Sequence, residues 1–232
     1  MNLHGRTVLV TGATGGLGRE FVSQSLARGA RLVYAAARRD HDWNDDRVVP
    51  LHLEVTDPAS VASAAAAAGD VDVLVNNAGI TGAASLLHSP MEEIRRTFET
   101  NVFAPIELVR AFAPALARAG GGAVVDVHSV LSWLATPGAY SPSKAALWGV
   151  TNALRLELAA QGTQVLGAHL AYTDTPMIAH LDVPKSDAAI VIGRILDALE
   201  AGEDEAIADE VTAGFRSVLG TATTGRLPSR TA

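Results

Sequence analysis

The sequence of 232 residues contains no cysteine. This absence excludes disulfide bonds, thiolate metal sites and a cysteine nucleophile. The histidine, aspartate and glutamate residues also show no spacing typical of a metal site, so we expect no bound metal.

Long apolar runs and an excess of positive charge are also missing. No apolar stretch approaches the roughly 20 residues that a membrane-spanning helix requires. The formal net charge of −7 disfavours nucleic acids and anionic membranes as partners. The first residues lack the charged start and apolar core of a signal peptide. We therefore expect a cytoplasmic protein with neither a nucleic-acid nor a membrane partner.

Apolar residues make up 48% of the sequence, which argues against disorder. Short β-branched and apolar runs alternate with helical patterns, and this alternation predicts an α/β fold. The predicted strands cover residues 7–10, 31–37, 48–55, 72–75, 123–127, 163–170 and 205–207. The length suits one domain, which we place at residues 1–220. The Thr-, Gly-, Ser- and Pro-rich stretch 221–232 is expected to be disordered.

A glycine-rich turn follows the first predicted strand. It reads Thr11-Gly12-Ala13-Thr14-Gly15-Gly16-Leu17-Gly18, and a helical pattern comes next. Strand, glycine turn and helix form the context of a dinucleotide-binding fingerprint. Gly12 permits the tight turn, Gly16 lets the backbone approach a pyrophosphate, and Gly18 lets the helix pack on the strand. A plain strand–helix turn is the alternative, but the context favours a dinucleotide cofactor.

The second predicted strand ends in Ala37, and Arg38 and Arg39 follow it. In dinucleotide folds an acidic residue at this point bonds the ribose 2′-OH of NAD, whereas an arginine accommodates the 2′-phosphate of NADP. Arg38, with Arg39 as a helper, therefore predicts NADP rather than NAD. The alternative is a pair of solvated loop arginines.

Asn76 and Asn77 end the fourth predicted strand. Amides at the end of a buried strand need hydrogen-bond partners, either on neighbouring strands or on a ligand. For Asn76 a purely structural role is equally open. Gly79 would permit close approach of the adenosine side of a cofactor.

A helical pattern starts at Ser89 or Pro90 and continues to Ala119. Pro105 lies in this pattern and predicts a kink or break one turn past Asn101. An asparagine just ahead of such a break can bond freed backbone groups or hold a water molecule.

Tyr140 and Lys144 begin a long helical run rich in Ala and Leu. Residues four apart share a helix face, with Cβ atoms about 5–6 Å apart. A fixed ammonium group stabilises a phenolate, so we expect the Tyr140 pKa to fall below its ordinary value of about 10. A pKa of about 7 would need about 4 kcal/mol, toward which a positively charged nicotinamide ring would contribute. Most such pairs are ordinary neighbours on a helix surface, so the rest of the chain must support this interpretation.

The motifs and their order closely resemble the short-chain dehydrogenase/reductase family over the chain up to about Leu219. The motifs are Thr11-Gly12-x-x-x-Gly16-x-Gly18, Asn76-Asn77-Ala78-Gly79, Asn101, and Ser129 with Tyr140-x-x-x-Lys144. The resemblance implies a doubly wound, mostly parallel Rossmann sheet of about seven strands with helices on both faces. It also implies a homodimer or homotetramer in which the helical stretches 101–119 and 140–160 meet another subunit. From the residues alone, these stretches could equally be intramolecular cover.

The resemblance implies four catalytic residues. Tyr140 would be the general acid for carbonyl reduction, or the base for alcohol oxidation. Lys144 would lower the Tyr140 pKa and bond the nicotinamide ribose. Ser129 would hold the carbonyl oxygen, and Asn101 would keep a water that links Lys144 to solvent. The implied cofactor-binding residues are Gly12, Thr14, Gly16, Leu17, Gly18, Ala37, Arg38, Arg39, Glu54, Val55, Asn77, Ala78, Gly79, Tyr140, Lys144 and Thr175.

The sequence departs from the family pattern at four places. Glu54 stands where an aspartate is usual, and His128 replaces a small polar residue. Leu170-Ala171 stand where a Pro-Gly pair is usual. The segment from Ser129 to Tyr140 is about two residues shorter than usual, which would impair catalysis or reshape the pocket if it moved either side chain.

Three further side chains, His128, His169 and Trp133, have candidate roles. His128 is either a second acid/base or, as we expect, a histidine bonded to a loop at the edge of the sheet. His169 is expected to be a hydrogen-bonded strand residue. Trp133 either lines the substrate pocket or packs on the core.

The predicted activity is NADPH-dependent reduction of an aldehyde or ketone to an alcohol, or the reverse oxidation. The substrate would be a small molecule with Tyr140 as its acid/base partner. One alternative is an NADP-binding protein with little turnover that serves as a sensor or scaffold. The other is an isomerase or dehydratase that uses the same fold and cofactor.

Overall fold

The computed structural model describes residues 1–39 and 41–219, and seven strands of these residues form one sheet. All neighbouring strands are parallel, in the order β3-β2-β1-β4-β5-β6-β7. The strands are β1 (Thr7–Thr11), β2 (Leu32–Ala37), β3 (Val48–His52), β4 (Val73–Asn76), β5 (Ala123–Val127), β6 (Gln164–His169) and β7 (Glu205–Ile207). The stretch 221–232, expected to be disordered, lies outside the described residues.

The strand order reverses between β1 and β4, which makes the sheet doubly wound. Ligands of such sheets bind at the carboxyl ends of the strands, beside this reversal. The central strands are buried along their whole length, because helices cover the sheet on both sides. The predicted Rossmann sheet is confirmed.

Seven α-helices cover the sheet within the described residues. They are α1 (Gly16–Ala27), α2 (Pro58–Ala67), α3 (Met91–Phe98), α4 (Ala104–Arg118), α5 (Tyr140–Glu157), α6 (Ala188–Ala201) and α7 (Glu210–Val218). Phe21 of α1 and Ile192 of α6 belong to the core on one face. Val61 of α2, Phe112 of α4 and Leu154 of α5 belong to the core on the other face. Of the helices in the described residues, none combines the length and apolar character needed to cross a bilayer.

The predicted break in the helical stretch before Ala119 is present. A π-helical turn, Glu99–Phe103, separates α3 from α4 and contains Asn101. Pro105 lies in the first turn of α4, where a missing N–H group costs no helical hydrogen bond. The break therefore falls just before the proline and places Asn101 in irregular helix.

One predicted strand boundary is wrong by three residues. The third strand ends at His52 rather than at residue 55, because the Glu54 N–H donates to Ser60 Oγ and the chain turns into α2. Helix α6 begins at Ala188, because the Ser186 N–H donates to the Tyr172 carbonyl and Asp187 caps the helix.

Candidate active site

The glycine-rich turn is shaped by contacts that leave no room for side chains. Gly12 has a φ of +64°, in the left-handed region that favours glycine. A Cβ atom on Gly18 would overlap the Gly12 carbonyl oxygen, and one on Gly16 would lie 2.9 Å from Thr175 Cγ2. The cap of α1 is Gly15, so no side chain of the cap accepts the first N–H groups of the helix. This open helix start fits the pyrophosphate of a dinucleotide.

Gly18→Ala is expected to destabilise the protein by about 1–3 kcal/mol, because the new Cβ must displace backbone of the turn. Urea unfolding at neutral pH measures this free energy. Gly214→Ala is the matched control, because a Cβ there meets nothing within 4 Å and alanine favours a helix. Equal stability of the two variants would contradict the proposed packing of α1 on the turn.

Asn77 ties the glycine-rich turn to the end of β4. Its Nδ2 atom donates to the carbonyl oxygens of Thr11, at 2.8 Å, and Gly12, at 3.3 Å. The Thr11 hydroxyl in turn accepts the N–H groups of Asn77 and Ala78 and donates to the Val75 carbonyl. The amide of Asn77 therefore positions the turn itself.

Asn76 has a structural partner. Its Nδ2 atom donates to Asp126 Oδ1 of the neighbouring strand β5 at 2.8 Å, and both side chains are buried. This contact agrees with the structural one of the two interpretations left open for Asn76.

Arg38 follows β2 at the carboxyl edge of the sheet, and its side chain is 76% exposed. Its Nη1 atom lies 3.8 Å from Glu54 Oε2. The other oxygen of Glu54 accepts from the backbone and hydroxyl of Thr56. Glu54 is thus held beside Arg38, while Arg39 is exposed and Val55 packs against the core.

Asn101 clamps the loop that follows Asn76-Asn77-Ala78-Gly79. Its Oδ1 atom accepts from the Ile80 N–H and its Nδ2 atom donates to the Ile80 carbonyl, both at 2.9 Å. Nδ2 also donates to Ser143 Oγ of α5 at 3.0 Å. The predicted bonds to backbone freed by the helix break are therefore replaced by bonds to a different loop. A Cβ on Gly79 would lie 3.3 Å from Asn101 Oδ1, so this glycine brings the loop close to the site.

Lys144 lies one helical turn after Tyr140, with Nζ 5.8 Å from the centre of the Tyr140 ring. Lys144 is 6% exposed, and its Nζ donates to the Val127 carbonyl at 2.7 Å. Burial lowers the pKa of Lys144 to about 8, and the nearby Asp126 carboxylate opposes this change. Burial raises the pKa of Tyr140 to about 12, against a hydrogen bond with Ser129 that lowers it. The expectation that Lys144 by itself lowers the Tyr140 pKa is therefore wrong, because desolvation of the phenolate outweighs the polar contacts.

The short segment before Tyr140 keeps Ser129 in contact with the phenol. Ser129 Oγ accepts from the Leu131 N–H and so starts a 3₁₀ turn, Val130–Ser132. Gly138 has a φ of +95°, and the next residue, Ala139, donates its N–H to the Ala83 carbonyl. This tight turn leads the chain directly into α5, which begins at Tyr140.

Lys144→Met is expected to remove a rise of stability with pH in the cofactor-free protein. The folded pKa of Lys144 is about 8 against an ordinary value of 10.5. Between these values the unfolded chain binds more protons, so the free energy of unfolding rises with pH, by on the order of 3 kcal/mol in all. Tyr140, with its raised pKa, acts in the opposite direction only above pH 10.

Urea unfolding at pH 7, 8, 9 and 10 tests this expectation. Lys185→Met, at the only other lysine of the sequence, is the matched control and should keep the wild-type slope. An unchanged slope in Lys144→Met would contradict the burial of a charged Lys144.

Sequence reasoning missed a buried polar network behind Ser129. His128 is 2% exposed, and the expectation that it bonds to a loop is wrong. Its Nδ1 atom lies 3.2 Å from His169 Nε2 and its Nε2 atom 2.8 Å from Thr151 Oγ1. Thr151 Oγ1 donates to Asp126 Oδ2 at 2.6 Å. One sequence signal of this network is Gly167, where a Cβ would come 2.7 Å from His128 Cε1.

In residues 1–39 and 41–219, no group of three or more His, Asp or Glu side chains is placed to hold a metal ion.

The fold is that of a Rossmann-type oxidoreductase. The family model of short chain dehydrogenases matches residues 6–185, so the chain belongs to the short-chain dehydrogenase/reductase family. It is 34% identical over 188 residues to the 3-oxoacyl-(acyl-carrier-protein) reductase FabG of Escherichia coli (strain K12), covering 76% of this chain and 77% of that protein.

Solved structures agree with this assignment. A short chain dehydrogenase from Burkholderia cenocepacia J2315 in complex with NADP is 35% identical, with a TM-score of 0.89 over 95% of each chain. An NADPH-bound carbonyl reductase from chicken fatty liver is 28% identical, with a TM-score of 0.76 over 84% of this chain and 91% of that one.

Proposed function

We propose that the protein reduces an aldehyde or ketone to an alcohol with NADPH, or catalyses the reverse oxidation. The observation that carries this proposal is the position of Lys144 one turn after Tyr140, with Nζ 5.8 Å from the centre of the phenol ring, near Ser129, which lowers the pKa of the phenol. Asn101 and Gly79 approach the same place from the loop after β4. A hydroxyl, a phenol and an ammonium group thus meet at the carboxyl ends of the strands, where doubly wound sheets bind ligands.

The residues around the glycine-rich turn fit a dinucleotide, because the turn excludes side chains and the start of α1 is open. When bound, NADP(H) supplies or accepts the hydride. Gly12, Thr14, Gly16, Leu17 and Gly18 would hold the pyrophosphate. The remaining contacts would come from the stretches after β2, β3, β4 and β6 and from α5. They are Ala37, Arg38, Arg39, Glu54, Val55, Asn77, Ala78, Gly79, Tyr140, Lys144 and Thr175.

Ser129 would hold the carbonyl oxygen, and Tyr140 would donate its proton to that oxygen as it becomes an alkoxide. Because burial raises the pKa of Tyr140 to about 12, the phenol keeps its proton at neutral pH. A protonated Tyr140 can serve as the general acid in carbonyl reduction. Lys144, held by the Val127 carbonyl, would bond the nicotinamide ribose. Asn101 would keep a water between Lys144 and solvent.

NADP is favoured over NAD because Arg38 offers an exposed guanidinium group beside the end of β2. A guanidinium group binds a phosphate with two parallel hydrogen bonds. The similar structures with NADP and NADPH support this choice. Glu54, held near Arg38, would weaken the attraction for a phosphate, so its carboxylate limits the preference.

The substrate is a small molecule, and the segment that would cover its site, between Thr173 and Ser186, is short. These two residues form an isolated bridge that joins the ends of the segment.

Residues 1–220 would form one cofactor-binding domain of a cytoplasmic homodimer or homotetramer. Exposed apolar side chains, Phe103 before α4 and Leu156 on α5, favour contact with another subunit.

The two alternatives make different predictions. The short segment before Tyr140 is the reason to consider a binding protein with little turnover, whereas the influence of Ser129 on the pKa of Tyr140 supports the reductase. An isomerase or dehydratase would use the same residues but consume no NADPH overall.

A substrate panel tests the proposal. NADPH absorbance is followed at neutral pH with aldehydes, ketones and a 3-oxoacyl thioester, the last chosen because of the similarity to FabG. We expect NADPH oxidation with at least one carbonyl class and slower reaction with NADH. Tight NADPH binding with no oxidation by any substrate would instead favour the binding protein.

A further inference from the structure

His169 joins two ends of one turn. It lies at the end of β6 and is 0% exposed. Its Nδ1 atom lies 3.4 Å from the Ser129 carbonyl oxygen, and its ring stacks on Trp133 with centroids 4.0 Å apart and an interplanar angle of 21°. Ser129 and Trp133 flank the 3₁₀ turn Val130–Ser132. The imidazole therefore contacts both the start and the end of the turn that carries Ser129.

The hydrogen bonds around His128 fix the direction of its contact with His169. Thr151 Oγ1 has two acceptors, Asp126 Oδ2 and the Leu147 carbonyl, so its oxygen accepts from His128 Nε2. Burial lowers the pKa of His128 well below its ordinary value, so the ring is neutral and its Nδ1 atom is an acceptor. His169 Nε2 must therefore donate to it. Because His169 Nδ1 faces the Ser129 carbonyl, both nitrogens of His169 face acceptors.

Glu205 places a negative charge beside the His169 ring. Its Oε1 atom lies 3.7 Å from His169 Nε2 and accepts from Trp148 Nε1 at 2.7 Å. Its Oε2 atom lies 2.7 Å from Arg216 Nη2. Its contact with His169, and then those with Trp148 and Arg216, lower the pKa of Glu205 to about 2, against the effect of burial. Glu205 is therefore ionised throughout the neutral range.

We propose that His169 is a positioning residue for Ser129. With a proton on each nitrogen, its ring donates to the Ser129 carbonyl and stacks on Trp133, and so holds the intervening turn. The proposal rests on the role of Ser129 proposed above. A side chain that cannot donate at the place of Nδ1 would leave the Ser129 carbonyl without this partner, and Ser129 would lose its fixed position against Tyr140.

Other charged groups modulate this contact from each neighbouring element. His128, at the end of β5, faces Nε2, and Glu205 of β7 lies beside the same atom. From α7, Arg216 lies over Trp133, with Cζ 4.9 Å from the ring centre. Helix α5 contributes Lys144 and Arg155, which act on His128. The Glu205 carboxylate attracts the N–H groups of the His169 ring, and the cationic groups repel them.

Two isosteric substitutions separate the donors of His169. The amide nitrogen of asparagine falls near the position of Nδ1, and that of glutamine near Nε2. His169→Asn keeps the donor to Ser129, whereas His169→Gln keeps the donor to His128. We expect His169→Gln to lower kcat by about 10-fold or more through misplacement of Ser129, with little change in the KM for NADPH. His169→Asn should stay close to wild type.

Nuclear magnetic resonance of the wild type tests the proposal without turnover. In protein labelled with ¹⁵N-histidine and ¹³C-carbonyl serine, the Nδ1–H group of His169 should appear and correlate with the Ser129 carbonyl. The Ser129 carbonyl signal should shift in His169→Gln, which lacks this donor, and should change little in His169→Asn.

Absence of the Nδ1–H group, or a Ser129 signal independent of His169, would overturn the proposal. So would wild-type kcat in a folded His169→Gln. If no carbonyl substrate is found, the proposed function fails, but the spectra still decide whether His169 positions Ser129. A variant that does not fold leaves the decision to the wild-type spectra.

Discussion

Replacing Tyr140 with phenylalanine is expected to reduce kcat/KM for carbonyl reduction by about 10³-fold, the range expected when a general acid is removed. The ring keeps its place at the start of α5, but the alkoxide oxygen no longer has its proton donor. Ser129, which contacts the phenol, remains to hold the carbonyl oxygen. NADPH oxidation with the best substrate of the panel measures the decrease, and fluorescence of bound NADPH shows whether cofactor binding persists.

Tyr34→Phe is the matched control for this substitution. Tyr34 lies on β2, and its hydroxyl bonds the exposed carboxylate of Asp70, away from the glycine-rich turn. Its removal should leave the reduction rate unchanged. A Tyr140→Phe enzyme that retains its rate while binding NADPH would mean that another group supplies the proton, and the proposed role of Tyr140 would be abandoned.

Replacing Arg38 with alanine is expected to weaken NADPH binding by about 10- to 100-fold, since a hydrogen bond to a charged group contributes about 1.5–3 kcal/mol. NADH lacks the 2′-phosphate and so offers Arg38 no charged partner, and its affinity should change by less than about 2-fold. Titrations that follow cofactor fluorescence give both dissociation constants. The exposed Arg95 of α3 offers the control Arg95→Ala, which should alter neither value.

A substitution of Glu54 gives a second test of Arg38, because the Glu54 carboxylate lies 3.8 Å from the Arg38 guanidinium. Glu54→Gln should tighten NADPH binding in the presence of Arg38, and should tighten it less in an Arg38→Ala background, where only the direct repulsion between carboxylate and phosphate is removed. Equal weakening of NADPH and NADH binding in Arg38→Ala would remove the assignment of Arg38 to the 2′-phosphate.

The tyrosine and lysine of the site show what spacing along a helix can predict and what it cannot. A separation of four residues on a helix predicts that Tyr140 and Lys144 share a face, and the structure places Nζ 5.8 Å from the ring centre. The predicted direction of the Tyr140 pKa shift is wrong. It depends on how many atoms of other elements exclude water from the phenol, and spacing along one helix carries no information about them.

Asn101 and His169 illustrate contacts across the fold. Pro105 marks Asn101 in the sequence and predicts a break, which is present as the π-helical turn. The partners of Asn101, Ile80 and Ser143, come from a loop and a helix 21 and 42 residues away. His169 meets His128 over 41 residues because β5 and β6 are neighbours in the sheet.

The sequence by itself determined the α/β class, the parallel sheet, the glycine-rich turn and the family, because these depend on short-range periodicity and on motifs a few residues long. Only the tertiary structure decided the burial of Lys144 and the partial burial of Tyr140, the clamp made by Asn101, and the network that joins His128, His169 and Glu205. The physical reason is that desolvation and hydrogen-bond partners are set by which strands become neighbours. That pairing brings together side chains that no local pattern connects.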